Sequence, residues 1–246
     1  MRIALLADIH ANREAFEAVL ARVEASRIDQ IVLLGDIVGY GPDPAFCVEK
    51  AASLMEAGAL GVIGNHDAAA AGSPEDMNSV ARQAIDWTRR QLDAAHLQFL
   101  KTLPETQTLG EALLVHASAR APRAWEYITG PMEAERSMRA TTARITLVGH
   151  VHSPQLWRMT GLGVAVGHEP ITGFEIPLAA SFSWLGVMGA VGQPRDGHCA
   201  AAFGIFDSKK RTLTFERTAY DHFATCRKVR EAGLPEALAN RLLRGR

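Results

Sequence analysis

Five short apolar runs in this sequence each stop at a residue able to bind a metal ion. They are RIALLAD, closing on Asp8; QIVLLGD, on Asp36; ALGVIGN, on Asn65; ALLVH, on His116; and RITLVGH, on His150. His10 and His152 complete the set, each two residues beyond a donor. Imidazole and carboxylate suit borderline divalent ions such as Mn, Fe, Co and Zn, whereas Mg and Ca recruit mostly oxygen ligands. Two aspartates, one asparagine and four histidines are too many donors for one tetrahedral ion, so two ions are expected. Closely spaced cations repel, and one anionic group must bridge them; Asp36, central in the series, is the expected bridge, with one oxygen for each ion. Neutral histidines and two carboxylates leave such a pocket net positive, able to attract an anionic phosphate and to acidify water.

Taken singly the motifs are weak, since D-x-H and G-D recur by chance. The ordered set carries the signal: D-x-H, G-D, G-N-H-D, a lone histidine and G-H-x-H, all behind apolar runs. His96, His168, His198 and His222 lack that context and read as ordinary satisfied histidines.

The elements that must position these groups follow from periodicity. Val-, Ile- and Leu-rich runs of this length suit strands buried on both faces of a parallel or mixed sheet. Open α/β sheets gather functional groups along the carboxyl edge, so donors remote in sequence can meet there. Phe16, Val19, Leu20 and Val23 keep helical spacing behind a cap at Asn12. A second helix is expected over residues 45–56 after the YGPDP turn, and further helices over 79–92 and 96–103. Beyond His152 the texture becomes antiparallel. In TLTFER, Leu213 and Phe215 are expected to face inward and Thr214 and Glu216 outward, with residues 207–210 as the preceding turn. One or two polar helices follow from His222. No linker divides the chain, so residues 1–246 are expected to form one domain with two packed sheets.

Composition narrows the function. The 246 residues carry 26 basic and 27 acidic side chains, a net charge of −1, which lacks the electrostatic footprint of a dedicated nucleic-acid binder. No run approaches the roughly 20 apolar residues of a membrane span, and MRIALLADIH enters a strand without the features of a secretory signal. Cys47, Cys199 and Cys226 are few, distant and odd in number, which argues for reduced thiols in a cytoplasmic protein rather than a disulfide framework or thiolate cage.

Together these motifs resemble those of the calcineurin-like metallophosphoesterase superfamily over essentially the whole chain. The strings GDIVGYGPDP, GNHDAA and VGQPRDGH are similar to a prokaryotic subgroup of predicted phosphodiesterases or diadenosine-tetraphosphatase-like proteins. The resemblance implies an α/β fold, a four-layer α/β/β/α sandwich of two mixed sheets. It implies one ion on Asp8, His10, Asp36 and His152 and a second on Asp36, Asn65, His116 and His150, with Mn the first expectation and Fe, Zn, Co or Ni as alternatives. His66 becomes the catalytic histidine outside the metal shell, and Asp67 a loop support. Arg195 is a candidate phosphate contact, because a guanidinium fork matches two phosphate oxygens; Tyr40 and Arg120 are further substrate candidates in adjacent loops. Trp125 and Tyr127 suit either a nucleobase or simple packing. The sequence departs from the subgroup at Ala11 and Ala117, where glycines are usual, at Val151 for threonine, and at Val187, Met188 and Ala190 for Asn, Pro and Ser.

The expected activity is hydrolysis of a small-molecule phosphate ester by metal-activated hydroxide: a phosphodiesterase or a nucleotide or dinucleotide phosphatase. A protein phosphatase is disfavoured because Ile37-Val38-Gly39-Tyr40 stands where those relatives carry an arginine, and a nuclease is disfavoured by the balanced charge. The competing reading is a catalytically weak scaffold of the same fold, which has no physical need for seven ligands and His66 together. Oligomeric state has no signal in the sequence.

Overall fold

The structure, a computed structural model, describes residues 1–72 and 77–246. The chain opens with β1 (Arg2–Leu6), α1 (Arg13–Glu24), β2 (Gln30–Leu33), α2 (Pro44–Glu56), β3 (Leu60–Gly61) and α3 (Asn65–Ala71). Then follow α4 (Ser79–Gln91), α5 (Ala94–Thr102), β4 (Thr106–Leu109), β5 (Ala112–Val115), α6 (Pro131–Arg139), β6 (Ile145–Val148), β7 (Gln155–Met159), β8 (Ala165–His168), β9 (Glu175–Pro177) and β10 (Trp184–Val187). The chain ends with β11 (Ala201–Asp207), β12 (Thr212–Thr218), α7 (His222–Glu231) and α8 (Glu236–Arg244).

Two six-stranded sheets result, ordered β3-β2-β1-β11-β12-β9 and β4-β5-β6-β10-β7-β8. Both are mixed: β1 runs parallel to β2 and antiparallel to β11, while β10 runs parallel to β6 and antiparallel to β7. The period of two along β1 shows how the layers form. Ile3 and Leu5 point between the sheets, meeting Leu114, Leu147 and Trp184 of the second sheet and Phe215 of the first. Ala4 and Leu6 point the other way, onto Phe16 and Val19 of α1 and Val48 of α2. The far side of the second sheet, with Val115, Leu185 and Val187, is covered by Ala134 and Met138 of α6. The order helix, sheet, sheet, helix is the expected sandwich.

Local signals explain the ends of these elements. Asn12 accepts a hydrogen bond from the Ala15 amide and caps α1, satisfying one of the orphan donors of a helix start. Pro44 opens α2, where its fixed φ and missing N–H cost nothing. The Asp207 carboxylate accepts from the amides of Lys209 and Lys210 and closes the β11–β12 turn. Met188, at the expected departure from the subgroup, lies in the space above Gly186 and Gly204, where a β-carbon would come 2.8 and 2.3 Å from its side chain.

Three features differ from the sequence expectation. Thr214 is buried, because α1 crosses that face of β12 and Arg22 of α1 reaches Glu216. The run before Asn65 forms only the short β3, and Asn65 itself starts α3. The polar β4 pairs with β5 as a hairpin through Gly110, and α6 follows Gly130 without a side-chain cap.

Candidate metal centre

Four strand ends deliver the donors: β1 leads to Asp8 and His10, β2 to Asp36, β5 to His116 and β6 to His150 and His152. The first two belong to one sheet and the last two to the other, so the donors meet where the edges converge. All the aspartates and histidines among them are buried. The chain turns sharply there. Asp8, His10, Asp36, Tyr40, His150 and His152 all have positive φ, as does Ala11 at +51°. That left-handed conformation costs a non-glycine residue roughly 1–2 kcal/mol, a cost that Ala11 bears here.

The seven expected ligands come together in two groups around Asp36. In one, His152 Nε2 lies 3.3 Å from Asp8 Oδ1, His10 Nε2 lies 3.8 Å from it, and His10 Nε2 lies 3.6 Å from Asp36 Oδ2. In the other, His116 Nε2 lies 3.4 Å from Asp36 Oδ2 and 3.2 Å from both Asn65 Oδ1 and His150 Nδ1. Oδ2 of Asp36 faces both groups, while Oδ1 accepts the His66 amide at 2.8 Å.

The histidine tautomers give the test of whether cations fit. His10 Nδ1 faces the Val38 carbonyl at 3.1 Å, His116 Nδ1 that of Leu34 at 2.7 Å, His152 Nδ1 that of Gln193 at 2.7 Å, and His150 Nε2 that of Trp125 at 2.9 Å. A carbonyl only accepts, so each of these nitrogens carries the proton and a neutral ring turns its lone pair inward. Two such lone pairs, on His10 Nε2 and His152 Nε2, then face each other at 3.0 Å. His116 Nε2 and His150 Nδ1 approach likewise at 3.2 Å, with room between them for one proton or a cation. Asp8 Oδ1 is buried beside them with no hydrogen-bond partner. Lone pairs gathered without donors are the arrangement that divalent cations satisfy, with carbonyls orienting the rings from behind.

Protonation agrees with that role for most members. Burial lowers His66 to about 4 and His150 to about 3, and it takes His10 well below its ordinary value despite the charge of Asp36. Burial opposes the Asp36 charge as well, yet His116 and His66 hold that carboxyl well below the usual range. Burial also disfavours the charged form of His116, but the charge and hydrogen bond of Asp36 outweigh it and raise the ring to about 9. Among protein groups alone, His116 therefore holds the proton that a cation would replace.

His66 sits at the rim of the first group, its ring 4.9 Å from that of His10 and 4.3 Å from that of Tyr40. Its Nδ1 is buried without a partner, and the distances that gather the other donors also bring it together with His10 and Asp36. Two glycines make room for this loop. A β-carbon on Gly39, at φ +88°, would come 2.4 Å from His66 Nδ1, and one on Gly64 would come 2.1 Å from Asp36 Oδ1. Asp67 accepts from the amides of Val38 and Gly64 and braces the turn. Burial, with Asp36 adding to it, raises Asp67 to about 7.

The other expected contacts divide. Tyr40 packs 4.7 Å from His10, and the Arg195 guanidinium lies 5.6 Å from the Tyr40 ring. Arg120 is turned to Glu126 at 3.5 Å with its side chain 55% exposed, and no contact joins it to the cluster. The Tyr127 ring stacks on His150 at 4.0 Å and is half exposed, whereas Trp125 contributes its carbonyl. The carbonyls of Leu34, Val38, Trp125 and Gln193 were invisible to sequence reasoning, because any residue type supplies one.

Sheet topology and site define a phosphoesterase of the calcineurin-like type. The domain profile of the calcineurin-like phosphoesterase superfamily matches residues 1–210, and the chain belongs to that superfamily. It is similar to a metallophosphoesterase from Sphaerobacter thermophilus, at 42% identity and a TM-score of 0.89, over 100% of this chain and 99% of that one. Protein MJ0912 of Methanocaldococcus jannaschii is 36% identical over 250 residues, covering 99% of this chain and 98% of its own length. Protein PH1004 from Pyrococcus horikoshii OT3, at 21% identity and a TM-score of 0.80 over 100% of this chain and 98% of that one, shares the fold. No helix among the described residues is long and apolar enough to cross a membrane.

Proposed function

We propose that this phosphoesterase is a dinuclear, divalent-metal-dependent hydrolase of small phosphate esters, a phosphodiesterase or a nucleotide or dinucleotide phosphatase. The observation that carries the reading is the pair of opposed lone pairs of His10 and His152 at 3.0 Å, on rings tied from behind to carbonyls, beside a buried Asp8 oxygen without a partner. In this reading Asp8, His10, Asp36 and His152 hold one ion and Asp36, Asn65, His116 and His150 the other. The mixed imidazole, carboxylate and amide set suits Mn, Fe, Co, Ni or Zn, and Mn is the ion tested first. The reading also takes residues 1–246 as one cytoplasmic domain, supported by a core shared between β1 and β12 and by three free thiols.

Divalent cations in such a site supply concentrated positive charge and acidified water. The chain's own residues do the rest. Asp8 and Asp36 provide the counter-charge, and the carbonyl-anchored histidines cannot swing away. His66, unpartnered at Nδ1 and held by Tyr40 and the Asp36 carboxylate, would assist the leaving oxygen, by proton donation or by hydrogen bonding to its developing charge. Arg195 offers a guanidinium to the non-reacting phosphate oxygens.

Reconstitution with Mn followed by desalting and elemental analysis should give about two equivalents of metal. Turnover of bis-p-nitrophenyl phosphate or of the p-nitrophenyl monoester should cease on chelation and return with Mn, and the faster of the two separates a diesterase from a monoesterase. One equivalent or none would sink the dinuclear reading, and turnover indifferent to chelation would sink metal dependence.

A further inference from the structure

Two guanidiniums converge on one ring at the rim of the metal cluster. Arg195 Cζ lies 5.6 Å from the centre of the Tyr40 ring, and Arg241 Cζ, from α8, lies 5.8 Å from the same centre. That ring is itself 4.3 Å from His66 and 4.7 Å from His10. We propose that Arg241 and Arg195 form an anion clamp for a second phosphate group of the substrate, so that the preferred esters carry a diphosphate. This rests on the proposed phosphoesterase reading of the same site.

Pairing separates these two arginines from others. Arg211, Arg217 and Arg230 each reach a carboxylate, of Glu111, Asp196 and Glu236 respectively. Among the described residues, neither Arg195 nor Arg241 has one. Arg195 donates to the Gln193 side-chain oxygen at 2.9 Å, and its Nε is buried without a partner. Arg241 has only the tyrosine face. Like charges held near one ring repel, and cations in the adjacent site add to that field. A single diester bears too little negative charge to balance it, whereas a diphosphate presents several oxygens to two forks.

The position of Arg241 is fixed by the end of its helix. Gly245 caps α8, its carbonyl accepts from the Gly197 amide at 2.8 Å, and a β-carbon on it would come 2.5 Å from the His198 backbone. The loop carrying Arg195 and the helix carrying Arg241 are therefore fastened together two residues beyond Arg195. Both lie beside a site whose family match ends at residue 210, so the second arm of the clamp comes from outside the matched domain.

Calorimetric binding of AMP and ADP tests this, both with excess Mn and after chelation. Wild type should bind ADP about tenfold or more tighter than AMP, the size of an added charge-assisted contact. Arg241→Gln should bring that ratio close to one while keeping metal content and melting temperature, and Arg241→Lys should retain part of it. Equal binding of the two nucleotides by wild type would overturn the clamp, with no variant needed. So would an unchanged ratio in Arg241→Gln, or an equal loss for both nucleotides, which marks a mere cover for Tyr40. Absence of phosphoesterase turnover with the ratio intact would remove the functional reading and leave the anion site standing.

Discussion

At the scale of single residues, the division between residues that hold cations and a residue that moves a proton is what the site offers for test. His66 follows Asn65 directly, and its amide is bound by Asp36, so its ring must stay at the rim. If it protonates the leaving oxygen, His66→Gln should keep both metals and lose activity by roughly 10²–10⁴-fold on an alkyl or nucleoside ester. Nitrophenolate departs nearly unaided, so the loss on the nitrophenyl ester should be far smaller. Measuring kcat on both esters alongside metal content decides the point. An equal fractional loss would favour charge stabilisation of the phosphoryl oxygens instead, and a lost metal would make His66 a ligand. Five of the donor types were legible in the sequence because each closes an apolar run, and His10 and His152 because each follows such a donor by two residues. The tautomers were not, since they depend on carbonyls such as those of Val38 and Trp125 that have no side-chain signature.

At the scale of elements, the site is braced by the packing of α7 on α1. Asn12 gives its side-chain N–H to the Gly192 carbonyl, and the Thr225 hydroxyl of α7 donates to Glu14 at 2.9 Å with Asn12 Oδ1 3.1 Å away. Lys228 bridges Glu14, at 2.8 Å, and Asp43. Burial pushes the Glu14 carboxyl up, but hydrogen bonds from Lys228 and Thr225 outweigh it and hold the group below its ordinary 4.5. Burial likewise opposes the Lys228 charge, and the two carboxylates outweigh it and hold the amine above 10.5. A depressed carboxylate stabilises fully above its unfolded value and loses that contribution as pH falls through the folded one; a raised amine stabilises fully below its unfolded value and loses it as pH rises. Lys228→Met should therefore lower the melting temperature most between pH 4.5 and 10.5. The gap should narrow beyond either limit. About a third of Lys228 is exposed, so screening holds the effect to about 1 kcal/mol. A gap that persists well below pH 4.5 would assign the loss to packing of the lysine stem. The helices α1, α2, α4 and α5 were legible from their spacing. α3 was hidden because NHDAAAA reads as the tail of a strand, and β4 because TQTL is too polar to announce one.

At the scale of the whole molecule, the donors come from both sheets: Asp8 and Asp36 from one, His116 and His150 from the other. Cations bound there would tie the sheets together, and a ligand that binds only the native state raises stability in proportion to its saturation. Chelation should lower the melting temperature, and titrated Mn should restore it with a midpoint that tracks metal content by elemental analysis. A melting temperature blind to both would mean that no cation bridges the sheets. The change of texture after His152 announced two sheets but not their membership: the antiparallel β11 and β12 join β1, while β5 and β6 lie in the other sheet. The partner of β1 was not legible, because an apolar strand buried on both faces accepts many neighbours equally well.

That partner sets an order on biosynthesis. β1 lies between β2, which leaves the ribosome soon after it, and β11, whose Gly204 pairs with Leu5. Until β11 emerges, β1 is an open, apolar edge of the kind that recruits other chains. The His150 amide that binds Asp8 Oδ2 and the Gly192 amide that binds its carbonyl both come from segments made before β11. A growing chain that halts before β11 therefore carries all seven donors and still presents an unpaired β1 edge, the feature that invites pairing with other chains.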